Sequence, residues 1–236
     1  MKQNRRRFLV AILAVLATAV LPFSAHAADK PKIGVIGSGH VGSAIGAAWV
    51  KAGYEVMFSS RHIDHDRSLA AELGAGARAG TPAEAAAFGE VLLFAVPYGA
   101  LPDLGKELAE QIDGKVIIDA CNPFPSRDGE IAEWARSKGA GLASAELLPG
   151  ARIVRAFNAV GAARMGAAHE DPGRFGMPIA SDDAEAAELA SRLIRDVGYE
   201  PVLIGGLDKG RYLVPGTALS GERSAAEIRD IASTLD

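Results

Sequence analysis

One cysteine, Cys121, stands among 236 residues, which excludes an internal disulfide and a thiolate-built metal centre. Basic residues are also scarce once the N-terminus is set aside. Lys2, Arg5, Arg6 and Arg7 belong to a stretch, residues 1–27, that holds no acid. Beyond it, 21 of the 25 basic residues face all 29 acidic ones, a net charge of −8. A surface for nucleic acid is therefore not expected. The only long apolar run, residues 8–21, is short for a spanning helix, and no basic stop signal follows it. No stable membrane anchor is expected once it is removed. No repeat or low-complexity linker divides the remainder.

The N-terminal stretch reads as a targeting signal. A basic start precedes the apolar run, and Ala25-His26-Ala27 is a small-residue cleavage site. Arg5-Arg6-Arg7-Phe8-Leu9 looks like a twin-arginine export signal, which carries proteins already folded, often with a cofactor seated. The general secretory route is the alternative. Either way, cleavage after Ala27 is expected, leaving residues 28–236 as a single folded domain in the periplasm.

The stretch that organises this domain begins Ile33-Gly34-Val35-Ile36 and continues Gly37-Ser38-Gly39-His40-Val41-Gly42. An apolar run suited to a buried parallel strand breaks into G-x-G-x-x-G and resumes as a small-residue helix. In a dinucleotide site the three glycines act differently. Gly37 turns the chain, Gly39 admits a pyrophosphate, and Gly42 lets helix and strand pack closely. The helix start then presents free N–H groups to the anion. A second strand, around residues 54–58, ends in Ser59-Ser60-Arg61, where sites for NAD carry an acid. Two hydroxyls and a guanidinium, with no carboxylate, suit the 2′-phosphate of NADP. His62 and His65 read as solvated loop residues.

Further strands are expected to end at Val96-Pro97-Tyr98, at Asp119-Ala120-Cys121-Asn122-Pro123 and at Phe157-Asn158. Tyr98 would either touch a cofactor or cap its strand. Asn122 can offer a carboxamide both a donor and an acceptor, or simply fix the turn before Pro123. Cys121 has no base beside it in sequence and reads as a packed residue. Helices are expected over residues 64–77, 101–112, 130–148, 183–197 and 222–235. The 183–197 helix would be capped by Ser181 or Asp182, and strands around residues 177–180 and 201–204 would extend the same sheet. The fold class is α/β: a doubly wound, mostly parallel sheet of about eight strands with helices on both faces.

Together these motifs resemble the NADPH-dependent reductases of the deazaflavin coenzyme F420 and the related oxidoreductase domain of the STEAP ferric reductases. The resemblance runs from Lys32 to about Gly216. It implies a Rossmann-type fold with the glycine loop, Gly37 to Gly42, on the pyrophosphate. It implies Ser59, Ser60 and Arg61 on the 2′-phosphate, and Val96, Pro97, Asn122 and Asn158 framing the nicotinamide. It also implies NADP as cofactor, coenzyme F420 or a flavin as hydride partner, and pairing of two copies through the C-terminal part. No exposed stripe in the sequence compels such a dimer.

Hydride transfer between two rings needs positioning and exclusion of water more than acid–base groups. Accordingly, no lysine follows Phe157-Asn158, where hydroxyacid dehydrogenases of related fold place theirs. No catalytic side chain and no metal ligand is assigned, and His40 is expected to serve through its backbone. The expectation is an exported NADP-dependent oxidoreductase. The alternatives are a non-catalytic NADP-binding protein of the envelope and a flavin-linked ferric reductase.

Overall fold

The computed structural model describes residues 30–235, residue 167 excepted, so the expected signal segment lies outside the described residues. From the N-terminal side the elements are β1 (Ile33–Ile36), α1 (His40–Lys51), β2 (Val56–Ser59), α2 (Ile63–Leu73), β3 (Ala77–Ala79), α3 (Pro82–Phe88) and β4 (Val91–Phe94). A 3-10 turn at Tyr98–Ala100 leads into α4 (Leu101–Glu107) and α5 (Ala109–Ile112), then β5 (Val116–Asp119). Next come α6 (Pro125–Asp128), α7 (Glu130–Lys138), α8 (Ala140–Leu147) and β6 (Arg152–Arg155). The last part holds α9 (Ala162–Met165), β7 (Gly176–Ile179), α10 (Ala184–Asp196), β8 (Glu200–Leu203), a 3-10 turn at Leu207–Tyr212 and α11 (Ala225–Ala232).

Every residue of β1, β4 and β5 is buried, as expected of parallel strands covered on both faces. Alternate residues supply two separate cores. Val35, Leu93 and Ile118 pack with Trp49 and Phe157 on one side, while Ile36, Leu92, Phe94 and Ile117 pack with Leu101 and Leu148 on the other. Trp49 ties α1 to α10 by donating Nε1–H to the Leu193 carbonyl at 2.9 Å. Its ring meets Phe157 edge-on at 6.3 Å.

The six strands lie in the order β3-β2-β1-β4-β5-β6, each neighbour parallel. Strand order reverses between β1 and β4, which opens a crevice at the carboxyl edge beside the turn after β1.

The sequence suggested about eight strands in one sheet. Instead β7 and β8 form their own parallel pair, joined to β6 by one antiparallel bridge, Arg155 to Ala180. A longer ladder is blocked on both sides. The next hydrogen-bonded pair would set Phe157 against Pro178, which has no N–H, and Phe157 has already left extended backbone (φ 64°). In the other direction the Ile153 carbonyl is taken by the Ser181 hydroxyl at 2.8 Å.

Three helices also differ from expectation. The 130–148 stretch breaks at Gly139 into α7 and α8, and the 101–112 stretch breaks at Leu108. Asp183, rather than Ser181 or Asp182, caps α10 by accepting from Ala186 N at 2.9 Å.

Candidate cofactor-binding cleft

The glycine turn has the geometry its sequence suggests. Gly37 adopts φ 102°, a conformation only glycine enters freely. A side chain at Gly42 would sit 2.0 Å from the Gly37 carbonyl oxygen, so only glycine lets α1 approach so closely. At Gly39 nothing lies within 4 Å of where a side chain would begin. The N–H groups of Gly37 and Ser38 both donate to the Ser59 carbonyl (2.9 and 3.0 Å), fastening the turn to the end of β2.

Helix α1 has no side-chain cap and no acid in its first turn. By contrast, α3 and α11 are closed by capping boxes, Thr81 with Glu84 and Ser224 with Glu227. The first N–H groups of α1, at His40, Val41 and Gly42, therefore remain for an anion.

A cavity of about 860 Å³ opens on this turn, within the usual range for small-molecule sites. Its floor is Ile36, Gly37, Ser38 and Gly39. One wall is Ser60, Arg61, His62 and His65, and the other is Ala95, Val96, Pro97 and the α4 face, with Pro82 at the end. Ala100, Asp103, Leu104 and Glu107 are spaced to share one side of a helix, so Asp103 and Glu107 oppose the cationic wall. His62 and His65, read from sequence as loop residues, both line the cavity. The acidic α4 face was missed, although the 100/103/104/107 spacing was there to be read.

The expected site residues fall into four groups. His40, Val41 and Gly42 open α1 next to the cavity but are not among the residues that line it. Gly37, Ser38, Gly39, Ser60, Arg61, Val96 and Pro97 line the cavity together. Ser59 does not: it is buried, and its hydroxyl donates to the Val35 carbonyl at 2.7 Å.

Asn122 and Asn158 hold the carboxyl ends of β5 and β6 together, outside that cavity. Asn122 Nδ2 donates to the Asn158 carbonyl and Asn158 Nδ2 to the Cys121 carbonyl, each at 3.3 Å. Both Oδ1 atoms are buried without a protein partner. Each Nδ2 thus makes one bond of the two its N–H pair allows, and both Oδ1 atoms are left as acceptors.

Tyr98 is fully buried, with its hydroxyl 3.0 Å from Ser144 Oγ and 3.2 Å from the Ala140 carbonyl, so it packs behind the strand rather than facing the cleft. Burial pushes its phenol up from the ordinary value. Burial, then the nearby Asp119 charge, pushes the Cys121 thiol well above the usual range, which makes it a packing residue.

Behind the strand ends, Arg155 Nη1 donates to Asp119 Oδ2 at 2.6 Å with both side chains fully buried. Arg155 Nη2 continues to the Leu213 carbonyl at 3.1 Å. Among the described residues no cluster of three or more His, Cys, Asp or Glu could hold a metal ion, and no helix is long and apolar enough to cross a membrane.

A parallel sheet of this order, with a glycine turn and an uncapped helix at its switch point, defines a dinucleotide-binding Rossmann-like protein. Residues 32–123 match the family model described as NADP oxidoreductase, coenzyme F420-dependent. The chain is 31% identical over 202 residues to the F420-dependent NADP reductase of Methanothermobacter marburgensis, covering 80% of this chain and 90% of that one. The chain belongs to the coenzyme F420-dependent NADP oxidoreductase family. It is also 30% identical over 186 residues to the metalloreductase STEAP3 of Rattus norvegicus, covering 78% of this chain but only 36% of that protein. A hypothetical protein from Sinorhizobium meliloti has the same fold, with a TM-score of 0.70 and 26% identity over 82% of this chain and 95% of that one.

Proposed function

We propose that this chain binds NADP(H) along the carboxyl edge of its six-stranded sheet and passes a hydride between the nicotinamide and a deazaflavin, a flavin or another small acceptor. One observation carries the reading: Gly39, the N-cap of the acid-free and uncapped helix α1, and Arg61 line one cavity. The N–H groups of His40, Val41 and Gly42 would hold the pyrophosphate, and Arg61 the 2′-phosphate. Pro82 and the α4 face would enclose the adenine, whose amine suits Asp103 and Glu107. The unpartnered Oδ1 atoms of Asn122 and Asn158 suit the carboxamide N–H groups. When bound, the nicotinamide supplies or takes up the hydride. The chain's own part is to fix its distance to the acceptor, with Val96 and Pro97 shielding it from water. No side chain need give or take a proton.

The likeness to STEAP3 favours a second reading, in which electrons leave through a bound flavin to a ferric chelate. Reduction of such a chelate by NADPH only when flavin is added would support it. Export is part of the proposal and rests on Arg5-Arg6-Arg7-Phe8-Leu9. Replacing Arg5 and Arg6 with lysine should then leave the protein in the cytoplasm.

The test is to purify the protein folded from the periplasm, release its small molecules with acid and identify them by mass. NADP, with or without a flavin or deazaflavin, is expected. An empty protein that also fails to bind NADPH on titration contradicts the proposal.

A further inference from the structure

Along β6 the side chains alternate between the two cores. Val154 and Ala156 pack with Trp49 in one, while Ile153 packs with Leu148 in the other and Arg155 passes Gly141 of α8. Continued alternation would send Phe157 to the Arg155 side. Instead Phe157 turns into left-handed backbone, φ 64°, and no other non-glycine residue among the described residues has positive φ. Its ring thereby stays on the Trp49 side. It is buried between Trp49 and Tyr199, with edge-on contacts at 6.3 and 6.2 Å.

The next residue is Asn158, and the turn carries it to the end of β5. There its Nδ2 donates to the Cys121 carbonyl and its own carbonyl accepts from Asn122 Nδ2, each at 3.3 Å. Its Oδ1 is left buried with no protein partner. Left-handed backbone is costly for any residue with a Cβ and open to glycine. Here a large aromatic occupies it, so the packing of the ring must sustain the turn. Strain of this kind collects where a neighbouring group has to be held in place.

We propose that Phe157 is a positioning residue for the nicotinamide. Its ring, held between Trp49 of α1 and Tyr199 just before β8, fixes the left-handed turn. The turn in turn aims Asn158, so that Oδ1 meets the N–H of the nicotinamide carboxamide. The inference rests on the NADP reading above and goes beyond it. Control of the reacting ring lies in an aromatic cluster, none of whose members lines the cavity.

The test compares dissociation constants for NADP and for its fragment without nicotinamide, 2′-phosphoadenosine diphosphoribose. The proteins are wild type, Asn158→Ala, Phe157→Gly, Tyr199→Leu and Tyr199→Phe. Wild type should bind NADP more tightly than the fragment. Phe157→Gly permits the turn but no longer enforces it. It and Asn158→Ala should each weaken NADP by about three- to tenfold, the worth of one hydrogen bond, and leave the fragment within about 1.5-fold. The double variant should lose no more than Asn158→Ala alone, because the ring acts only through Asn158. Tyr199→Leu removes one side of the clamp and should show a smaller loss of the same kind. Tyr199→Phe keeps the ring and should bind both molecules as wild type does.

Equal losses for NADP and the fragment in Phe157→Gly, or wild-type affinities in that variant, overturn the inference while the NADP reading stands. So does an Asn158→Ala that keeps the wild-type preference for NADP, or a wild type that shows no such preference. Should Phe157→Gly fail to fold, Tyr199→Leu against Tyr199→Phe decides the point by the same comparison. A wild type that binds neither molecule overturns the underlying reading itself.

Discussion

Gly39→Ala separates the fold from the site. Gly39 has φ −69° and ψ −166°, which alanine adopts without strain, and its side-chain position is open for 4 Å. Replacing a glycine in a compatible conformation narrows the unfolded ensemble and stabilises by about 0.4–1 kcal/mol. In a chain of this size that corresponds to a rise in Tm of roughly 1–4 °C. The added methyl, however, would occupy the space in which a pyrophosphate approaches the backbone. Losing one hydrogen bond to a charged group costs about 1.5–3 kcal/mol, or roughly 10- to 150-fold in Kd. NADPH and NADH should lose affinity by the same factor, since both carry the pyrophosphate. Thermal melting and isothermal titration of the same preparation measure both quantities. A variant that melts at or above wild type and binds neither nucleotide well is the expected result. Wild-type affinity in a folded Gly39→Ala would refute the placement of the pyrophosphate on this turn.

Arg61→Ala should weaken NADPH by about 10- to 150-fold and leave NADH within about twofold, since only the 2′-phosphate loses a charge-assisted partner. Equal losses on titration would contradict that role. Asp119→Ala leaves the buried Arg155 charge without its partner and should cost about 3–5 kcal/mol in urea unfolding. Asp183→Ala removes the α10 cap, a loss of about 1–2 kcal/mol at neutral pH, to which the half-exposed Arg152 pair adds little. Arg152 holds the Asp183 carboxyl at about 2, below its ordinary 3.8. A lowered carboxyl stabilises the fold fully above its ordinary value and loses that contribution as pH falls through the folded value. The difference between wild type and Asp183→Ala in chemical unfolding should therefore shrink between about pH 4 and pH 2, and a constant difference would contradict the stabilisation of the Asp183 carboxylate by Arg152 and the Ala186 N–H.

The sheet was legible because buried parallel strands announce themselves as short apolar runs cut off by glycine or proline, as in Val35-Ile36-Gly37 and Val96-Pro97. The glycine roles could be read because each depends on the absence of one atom, Cβ, and that absence is written in the sequence. What could not be read depends on direction. Pro178 looked acceptable in a strand, and only its place opposite Phe157 breaks the ladder to β6. Ser59 and Ser60 look alike in sequence, yet one hydroxyl at the end of β2 goes to the Val35 carbonyl while Ser60, just beyond it, lines the cleft and donates to Asp66. Asp66 sits in Ile63-Asp64-His65-Asp66, a run that reads as a solvated helix face. Only the Ser38 turn packing over it reveals a buried acid. Tyr98 likewise faces Ser144, a partner 46 residues away.

The most direct test of NADP as the cofactor is titration of the folded, nucleotide-free chain with NADPH and NADH side by side. NADPH binding at least about tenfold tighter than NADH, as one charge-assisted contact to the 2′-phosphate requires, is the expected result. Equal affinity would contradict the 2′-phosphate site at Arg61, and no binding of either nucleotide would contradict the oxidoreductase reading as a whole.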